Sequence, residues 1–497
     1  MIKQSVGPAR VRASPRVKPL SCKHRLACCA IPSAGVPNAF LEVDSEESFM
    51  SALNQECESG RIPKQLIPLW TDFFNNYKKA LLSADLPSHD MKLVSQVQAS
   101  IADTVINQFT NPYKFPSRHE AITEPYDYFE FGQKYVGSLI DFTKSYLGHR
   151  ERFDEIERQL EAGENAIILA NHQSEADPGI WAHMLIHTHP RLAKSVFYVA
   201  GDRVVSDPLC VPFSMGRNLY CVHSKRHMED DPETKGEKMA MNRRTLGAMG
   251  ESLAGGGSLL WIAPAGGRDR PNDDGVYVPA KFDPTAVELM RALAAKAAKK
   301  AGRKTHMYPF AMFSAPLMPP PRTIDKSLGE RRIVNFTGVG ISVGEELDVE
   351  AITAGAAGRE EAAAAFTQAT YEQVCTLYAE LDASVKDPST APAHFTQPWR
   401  TEDAAAGNGA TAKEDVAASE ESAADEVVAA KEPAAEEAVA AKEWPATKDD
   451  IAAKEEEVAA KAAVAAAATE DGVGRVWPEG FQRAGRMVKK AWDSVRS

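Results

Sequence analysis

The stretch that decides the fold runs from Ala166 to Pro178 and reads Ala-Ile-Ile-Leu-Ala-Asn-His-Gln-Ser-Glu-Ala-Asp-Pro. Its first five residues form an apolar run between Gly163 and Asn171, which predicts a buried strand. Asp177 followed by Pro178 is typical of a helix start, because aspartate caps the first turn and proline suits its first position. The segment therefore predicts a strand, a polar turn and a helix in succession.

His172 and Asp177 stand five residues apart in this polar turn. An unperturbed imidazole titrates near pH 6.5, about where a general base works, and a neighbouring carboxylate fixes its tautomer. Ligands of open α/β sheets bind at the carboxyl ends of strands, which is where His172 is expected. The pair predicts a histidine base oriented by an aspartate. On spacing alone, a surface histidine beside a helix cap is an open alternative.

Outward from this unit, strands and helices alternate from Glu164 to about Ala383, which predicts an α/β domain around a largely buried sheet. The expected strands are Ile167 to Ala170, Ser195 to Ala200, Leu219 to His223, Leu259 to Ala263, Met307 to Phe313 and Ile333 to Ile341.

The region before the alternation, residues 42–163, is predicted to be a small helical bundle. Apolar residues recur there at helical spacing in two stripes, and a third helix is expected around Val136 to Tyr146. The stripes are Leu66, Trp70, Phe73, Tyr77 and Leu81, then Val94, Val97, Ile101, Val105 and Phe109.

Four blocks of sequence, in order, resemble those of one enzyme family. They are Asn-His-Gln-Ser-Glu-Ala-Asp-Pro at 171–178, Gly216-Arg217-Asn218-Leu219 leading to Ser224-Lys225-Arg226-His227, Trp-Ile-Ala-Pro-Ala-Gly-Gly-Arg-Asp-Arg-Pro at 261–271, and Tyr308-Pro309-Phe310-Ala311 leading to Met318-Pro319-Pro320-Pro321. With them the chain resembles the plastid-type, soluble glycerol-3-phosphate acyltransferases of the wider H-x-x-x-x-D acyltransferase family, from about Asp44 to Trp399. The resemblance implies a mixed sheet flanked by helices, with residues 164–399 as the catalytic domain.

The resemblance also implies a reaction. A fatty acyl group would pass from an acyl carrier protein thioester, or from acyl-coenzyme A, to the sn-1 hydroxyl of glycerol 3-phosphate, the first step of plastid glycerolipid synthesis. His172 would be the base and Asp177 its orienting partner. Cys210 and Cys221 lie in apolar sequence and are interpreted as core thiols, so we expect direct transfer without an acyl-enzyme.

The substrate phosphate is expected to be held by four residues that the resemblance carries over, Arg226, His227, Arg268 and Arg270. Guanidinium groups suit this role because they bind phosphate oxygens bidentately and stay charged. The family usually has lysine where this chain has Arg226. Two alternatives stay open: an acyltransferase for another phosphorylated acceptor such as lysophosphatidate, and a non-catalytic tethering protein.

The twelve histidines show no metal-ligand pattern such as C-x-x-C or H-E-x-x-H. His183 and His187, four residues apart on a predicted helix, could supply half a site. We expect no functional metal and no other cofactor.

The charge of the chain is uneven, with a net value of −12 over 497 residues. No apolar run reaches the roughly 18 residues of a membrane span, so a soluble or peripheral protein is expected, without nucleic acid as a partner. The segment from Arg291 to Lys304 is basic. It is interpreted either as a solvated helix face or as a docking face for acidic acyl carrier protein.

Residues 1–41 carry seven lysines and arginines and no acidic residue, a composition typical of a transit peptide. With the resemblance, this predicts the plastid (chloroplast) stroma; a retained basic arm is the alternative. Cys22, Cys28 and Cys29 would leave with the peptide, and the remaining four cysteines form no disulfide framework.

The C-terminal region divides in two. Residues 400–474 are rich in alanine, and 401–474 contain nineteen acidic residues against six lysines, which predicts a disordered linker. Residues 475–497 predict a basic amphipathic helix that contacts a membrane surface or a partner protein. Its apolar face would carry Phe481, Ala484, Val488, Trp492 and Val495.

Overall fold

A computed structural model describes residues 39–224, 228, 233–320 and 332–400 of the chain. The strands are β1 (Arg118–His119), β2 (Tyr146–Gly148), β3 (Asn165–Ala170), β4 (Phe197–Gly201), β5 (Asn218–Val222), β6 (Leu259–Ile262), β7 (Thr305–Phe313), β8 (Gly340–Val343) and β9 (Phe395–Thr396). The helices are α1 (Glu46–Glu58), α2 (Ile67–Leu82), α3 (Met91–Thr110), α4 (Tyr128–Gly137), α5 (Arg150–Glu161), α6 (Asp177–Leu185), α7 (Pro190–Ser195), α8 (Asp202–Ser206), α9 (Val211–Met215), α10 (Lys235–Gly255), α11 (Pro284–Ala301), α12 (Val349–Thr353) and α13 (Arg359–Lys386).

Several predicted features lie outside the described residues. They are the transit peptide up to residue 38, the acidic linker from 401, the terminal helix, and the candidate phosphate ligands Arg226 and His227.

The described strands form one mixed sheet in the order β1-β5-β4-β6-β3-β7-β8-β2-β9. Its centre, from β5 to β7, is parallel, while β8 pairs antiparallel with β7. The predicted mixed sheet flanked by helices is therefore confirmed.

β3 is the central strand, and all six of its residues are buried. Ile168 pairs in register with Trp261 of β6 on one side and with Tyr308 of β7 on the other. A strand that is covered on both faces needs a continuous apolar sequence, which explains the run that precedes His172. Because β5, β4, β6, β3 and β7 are parallel, the loops after them gather at one edge of the sheet. This carboxyl edge carries the candidate site.

The predicted N-terminal helices are confirmed in α2 and α3, and their apolar stripes pack into the same hydrophobic core as β3 and β7. Phe109, placed on the second stripe, is instead 39 % exposed. The bundle region also contributes two strands to the sheet, since β1 pairs with β5 and β2 with β8.

The predicted third helix from Val136 to Tyr146 is wrong. Helix α4 ends at Gly137, and a 3-10 turn at residues 142–144 leads into β2. The backbone at the end of this segment joins the sheet instead, because the Tyr146 amide donates to Val339 O at 3.0 Å.

The predicted strand from Ile333 to Ile341 is wrong over most of its length, because β8 begins only at Gly340. The preceding backbone finds other partners. The Val334 amide donates to the Asn76 side chain at 2.7 Å, and the Thr337 amide to Leu139 O at 3.1 Å. Gly338 passes so close to the backbone of Lys144 that a side chain there would collide with it.

Among the described helices, none combines the length and the apolar character that crossing a membrane requires.

Candidate active site

The turn after β3 brings His172 and Asp177 into direct contact. His172 Nδ1 lies 2.7 Å from Asp177 Oδ2. The carboxylate accepts the Nδ1 proton, so the lone pair of the imidazole is on Nε2. The His172 side chain is 27 % exposed while that of Asp177 is 1 % exposed, so the base can be reached and its partner cannot. The expected pairing of these two side chains is therefore present in the structure.

Asp177 is held by further donors besides His172. Its oxygens accept hydrogen bonds from the Gln173 amide at 2.9 Å, the Ser174 amide at 3.1 Å and the Ser314 hydroxyl at 2.5 Å. Burial alone would raise the pKa of the Asp177 carboxyl, but the contacts with His172 and Ser314 outweigh it and hold that pKa below its usual value. Asp177 is therefore a fixed negative charge. Asp177 was predicted to cap α6, but it is the first residue of that helix, one position further in, and Ala176 occupies the capping position.

Asn171 ties the turn to β7. Its side-chain oxygen accepts from the Met312 amide at 2.8 Å and its Nδ2 donates to Met312 O at 3.0 Å. The same Nδ2 donates to Asp269 Oδ2 at 3.0 Å. Asn171 thus joins the loop after β3 both to the loop after β6 and to the neighbouring strand β7.

Asp269 is the residue that joins the loop after β6 to the candidate base. Its amide donates to His172 O at 2.6 Å, and its Oδ1 accepts from the Ala280 amide at 2.8 Å. Burial raises the pKa of the Asp269 carboxyl to about 6, against the opposing effect of the hydrogen bonds that it accepts from Ala280 and Asn171. Because Asp269 separates Arg268 from Arg270, this contact places both arginines beside the His172 turn.

Arg268 belongs to a buried network of charges. Its Nη1 lies 3.3 Å from Glu175 Oε1, and Glu175 Oε2 lies 2.7 Å from Arg332 Nε. Arg332 in turn pairs with Asp207, with Nη2 3.0 Å from Oδ2. Burial would raise the pKa of the Glu175 carboxyl, but Arg332 and Arg268 outweigh it and lower that pKa. The network orients the Arg268 side chain through its contact with Glu175.

Arg270 is half-buried and its Nη1 donates to the carbonyl oxygens of Arg268 and Asp269, both at 3.3 Å. The glycine pair before the arginines is open to solvent. Gly266 has a φ of 69°, which requires glycine, and a Cβ on either Gly266 or Gly267 would meet nothing within 4 Å. The loop therefore leaves room for a small anion beside the arginines.

Of the four expected phosphate ligands, Arg268 and Arg270 are brought to the candidate base. Arg226 and His227 lie outside the described residues, although β5, the strand before them, ends at the same edge of the sheet as β3.

The cysteines near the site are buried in the protein. Cys210 lies 3.1 Å from Arg332 Nη2, and burial raises its pKa well above the ordinary value. Burial likewise raises the pKa of Cys221 to about 12. Neither thiol is therefore a thiolate at neutral pH, which agrees with the interpretation that they are core residues.

His183 is engaged elsewhere. Its Nε2 lies 2.8 Å from Gln133 O, and burial lowers its pKa to about 4. His187 is exposed, so these two histidines do not converge as half a metal site.

Four functional candidates were missed from the sequence: Glu175, Asp269, Ser314 and Arg332. Glu175 and Asp269 lie inside two of the four sequence blocks that carry the family resemblance. Glu175 follows His172 by three residues and Asp269 stands between two arginines, and these positions were the available signal. Arg332 offers no local signal, because it meets Glu175 only through the fold.

Two family models match parts of the chain, and known proteins resemble most of it. Residues 37–113 match the model described as glycerol-3-phosphate acyltransferase N-terminal, and residues 152–313 match the acyltransferase model. The chloroplastic glycerol-3-phosphate acyltransferase of Carthamus tinctorius is 40 % identical over 378 residues, which cover 74 % of this chain and 81 % of that protein. The corresponding enzyme of Spinacia oleracea is 41 % identical over 366 residues, covering 72 % of this chain and 76 % of its own. That of Arabidopsis thaliana is 40 % identical over 366 residues, covering 72 % and 79 %. With relatives of this identity and coverage, the chain belongs to the family of plastid glycerol-3-phosphate acyltransferases.

Proposed function

We propose that the chain transfers a fatty acyl group from an acyl carrier protein thioester to the sn-1 hydroxyl of glycerol 3-phosphate in the plastid stroma. As a member of its family the chain is an acyltransferase of the plastid, and glycerol 3-phosphate and an acyl donor are its substrates. The observation that carries the proposal is the His172–Asp177 pair, which the Asp269 amide joins to the Arg268 and Arg270 loop. A base and two cations are thereby presented at one edge of the sheet.

The reaction needs one proton acceptor for the hydroxyl. His172 Nε2 takes the proton as the sn-1 oxygen attacks the thioester carbonyl, and the tetrahedral intermediate then expels the thiolate. The imidazolium returns the proton to the departing sulfur, so the enzyme ends as it began. Asp177 stabilises the imidazolium while it exists, because its charge and its hydrogen-bond donors are fixed.

Direct transfer is supported by the state of the neighbouring nucleophiles. The Ser174 hydroxyl donates to Asp177 at 2.9 Å, and so it is committed to the carboxylate that orients the base. Cys210 and Cys221 are buried with raised pKa values. An acyl-enzyme would need an activated hydroxyl or thiol beside His172.

The phosphate is proposed to bind Arg268 and Arg270, with Arg226 and His227 as the further ligands. A guanidinium group has five N–H donors, so the contact of Arg268 with Glu175 is compatible with a second anion. Glu175 also limits how far the arginine can move, which fixes the position of the phosphate relative to the base.

The choice of acyl carrier protein as donor rests on the family resemblance, and the structure argues against one docking face for it. The basic residues Lys296, Lys299 and Lys300 of α11 are exposed. However, α11 ends just before Thr305, where β7 begins, whereas His172 follows the carboxyl end of the neighbouring parallel strand. At about 1.5 Å per residue the 18-residue helix spans roughly 27 Å, so its basic end lies at the opposite edge of the sheet.

One experiment tests the proposal. The purified chain without residues 1–41 is assayed with acyl carrier protein and coenzyme A thioesters, and with glycerol 3-phosphate, glycerol and lysophosphatidate as acceptors. We expect turnover with glycerol 3-phosphate and a loss of roughly 10²-fold or more in kcat for His172→Ala, the range of general-base catalysis. His187→Ala is the matched control, because it removes an exposed histidine just after α6. A folded His172→Ala enzyme with normal turnover, or equal use of glycerol, would refute the proposed site.

Membrane contact through residues 475–497 is a further proposal. It rests on the sequence alone, because an apolar stripe opposite a basic face is the composition of a helix that binds at a membrane surface.

A further inference from the structure

The carboxyl end of β7 holds the turn of the candidate base on both sides of His172. Asn171, just before it, is bonded to the backbone of Met312: its side-chain oxygen accepts from the amide at 2.8 Å and its Nδ2 donates to the carbonyl at 3.0 Å. Gln173, just after it, accepts through Oε1 from the amide of Ser314 at 2.8 Å and from the next amide at 3.1 Å. Both residues that flank the base are therefore fixed to one strand end.

Ser314, the residue that follows β7, ties the partner of the base to the same strand end. Its hydroxyl donates to Asp177 Oδ1 at 2.5 Å, although the two residues are 137 positions apart in the chain. The other described donors to this carboxylate belong to His172, Gln173 and Ser174, which lie in the same turn as Asp177. Ser314 is therefore the donor that fixes the carboxylate relative to the sheet.

The hydroxyl of Ser314 acts on Asp177 in two ways. A hydrogen bond to an ionised acceptor is roughly twice as strong as one between neutral groups, so it holds the direction of the carboxylate. It also draws negative charge toward Oδ1 and away from Oδ2, which faces His172 Nδ1 at 2.7 Å. Ser314 is fully buried and Asp177 is 1 % exposed, so solvent water is kept from taking the place of the hydroxyl.

We propose that Ser314 is a positioning residue for the base. By donating to Asp177 it fixes the direction of the His172 imidazole and limits how strongly the carboxylate holds a proton on that ring. This inference rests on the proposed function, because it gives Ser314 a part in the same proton transfer. The alternative is that Ser314 only anchors the end of β7, and the two roles differ in what they change at His172.

Three substitutions of Ser314 separate the hydroxyl from the space that it fills. Ser314→Ala removes the donor, Ser314→Cys fills similar space with a much weaker donor, and Ser314→Thr keeps the hydroxyl. Ser342→Ala is the matched control. Ser342 is also fully buried, lies on the neighbouring strand β8, and its hydroxyl has no hydrogen-bond partner among the described residues.

The first measurement is the NMR signal of the proton between His172 Nδ1 and Asp177, in the full chain without substrate. The signal is identified by its loss in His172→Ala, and its chemical shift during a pH titration reports the protonation of Nε2. Without the donor of Ser314 the carboxylate is a stronger base, so His172 should stay protonated to higher pH in Ser314→Ala. Asp269, a second buried carboxyl that interacts with His172, is present in every variant.

The titration curve should move less in Ser314→Cys than in Ser314→Ala. In Ser314→Thr and Ser342→Ala it should stay close to that of the wild type, because both keep a hydroxyl beside Asp177.

The second measurement is turnover at saturating acyl donor and varied glycerol 3-phosphate. We expect kcat to fall roughly 3- to 10-fold in Ser314→Ala with little change in KM, because the base and its carboxylate remain but are less well aligned. A stronger carboxylate would not by itself lower kcat, so the fall measures lost orientation. The acidic limb of the pH–rate profile should move to higher pH together with the NMR titration.

The role of Ser314 as a mere anchor predicts a lower Tm and nothing else. The proposal is overturned if folded Ser314→Ala titrates like the wild type and keeps kcat within about twofold of it. It is equally overturned if Ser314→Thr, folded, behaves like Ser314→Ala. Should circular dichroism show Ser314→Ala to be unfolded, Ser314→Cys takes its place in both measurements.

Failure of the proposed function would look different. A wild type that does not use glycerol 3-phosphate, or a His172→Ala variant with normal turnover, would refute that function. The NMR titration needs no substrate, so it still decides whether Ser314 acts on the His172–Asp177 pair.

Discussion

Replacing Asp177 by asparagine removes a charge and nearly preserves the shape of the side chain. Oδ2 accepts from His172 Nδ1 at 2.7 Å and from the Gln173 amide at 2.9 Å. Oδ1 accepts from the Ser174 amide at 3.1 Å and from the hydroxyls of Ser174 and Ser314 at 2.9 and 2.5 Å. Each oxygen faces one backbone amide that can only donate, but the other partners of Oδ1 are hydroxyls, which rotate and can accept, so we expect the new amide nitrogen at the Oδ1 position. The amide oxygen then stays beside His172.

In that orientation Asp177→Asn keeps the tautomer of His172 and loses the charge and the hydrogen bond from the Ser174 amide. A hydrogen bond to a charged group contributes about 1.5–3 kcal/mol and a neutral one about 0.5–1.5 kcal/mol. The imidazolium of the transition state is then less stable by roughly 1–1.5 kcal/mol, which lowers kcat roughly 5- to 15-fold. The reverse orientation would move the proton to Nε2 and lower kcat by about 10⁴-fold.

The assay is kcat at saturating glycerol 3-phosphate and acyl donor, with circular dichroism to verify folding. Asp274→Asn, at an exposed aspartate in the loop after β6, is the matched control. An unchanged kcat in Asp177→Asn would show that the carboxylate charge has no part in catalysis. A loss near 10⁴-fold in a folded variant would refute the orientation deduced from the rotating hydroxyls.

Four further outcomes are expected. Arg268→Ala and Arg270→Ala should each raise the KM for glycerol 3-phosphate, by about 1.5–3 kcal/mol or roughly 10- to 150-fold, in initial-rate assays at varied acceptor; an unchanged KM would contradict the phosphate site. Glu175→Gln should unfold at lower urea than the wild type, because Arg268 and Arg332 lose their shared carboxylate. The folded-state pKa of Glu175 is lowered, so its contribution to the free energy of unfolding is present above the unfolded pKa of 4.5 and is lost as pH falls through the folded pKa. The free energies of unfolding of the wild type and of Glu175→Gln should therefore converge on acidification. Turnover should survive EDTA, because the sequence shows no complete metal-ligand pattern beside His172; loss that one metal restores would reveal a catalytic metal. The intact chain should float with anionic vesicles and a chain ending at Gly474 should not; if both stay soluble at low salt, a protein partner replaces the membrane.

The candidate base was predictable because its signals are local. The apolar run of β3, the polar turn and the Asp177-Pro178 helix start all lie within thirteen residues, and each follows from a rule about neighbours in the chain. His172 and Asp177 meet within this one turn, so no long-range contact has to be known to pair them.

The charge network behind Arg268 was not predictable in the same way. Glu175 and Arg332 are separated by 157 residues, and no periodicity or propensity relates them. Arg268 was assigned to the substrate, whereas its described partner is Glu175. Both assignments suit an arginine, and only the fold shows that Glu175 is within reach.

Tertiary contacts also decided the two elements that sequence patterns placed wrongly. The β-branched residues before Gly340 favour a strand, but their amides bond to Asn76 and Leu139 instead of to a neighbouring strand. The apolar residues after Gly137 favour a helix, yet the last residue of the predicted helix, Tyr146, lies in β2. Local preference is weak wherever a partner from elsewhere satisfies the backbone.

The hydrogen bond from the Asp269 amide to His172 O bears on how the enzyme tells its acceptor from similar alcohols. In the proposed site, an anion bound to Arg268 and Arg270 would restrain their loop, and that single hydrogen bond would pass the restraint to the backbone of His172. Glycerol offers no anion, so it would meet a base that is less well aligned as well as a weaker binding site. Under this proposal, selectivity for the phosphorylated alcohol would act in the chemical step as well as in affinity.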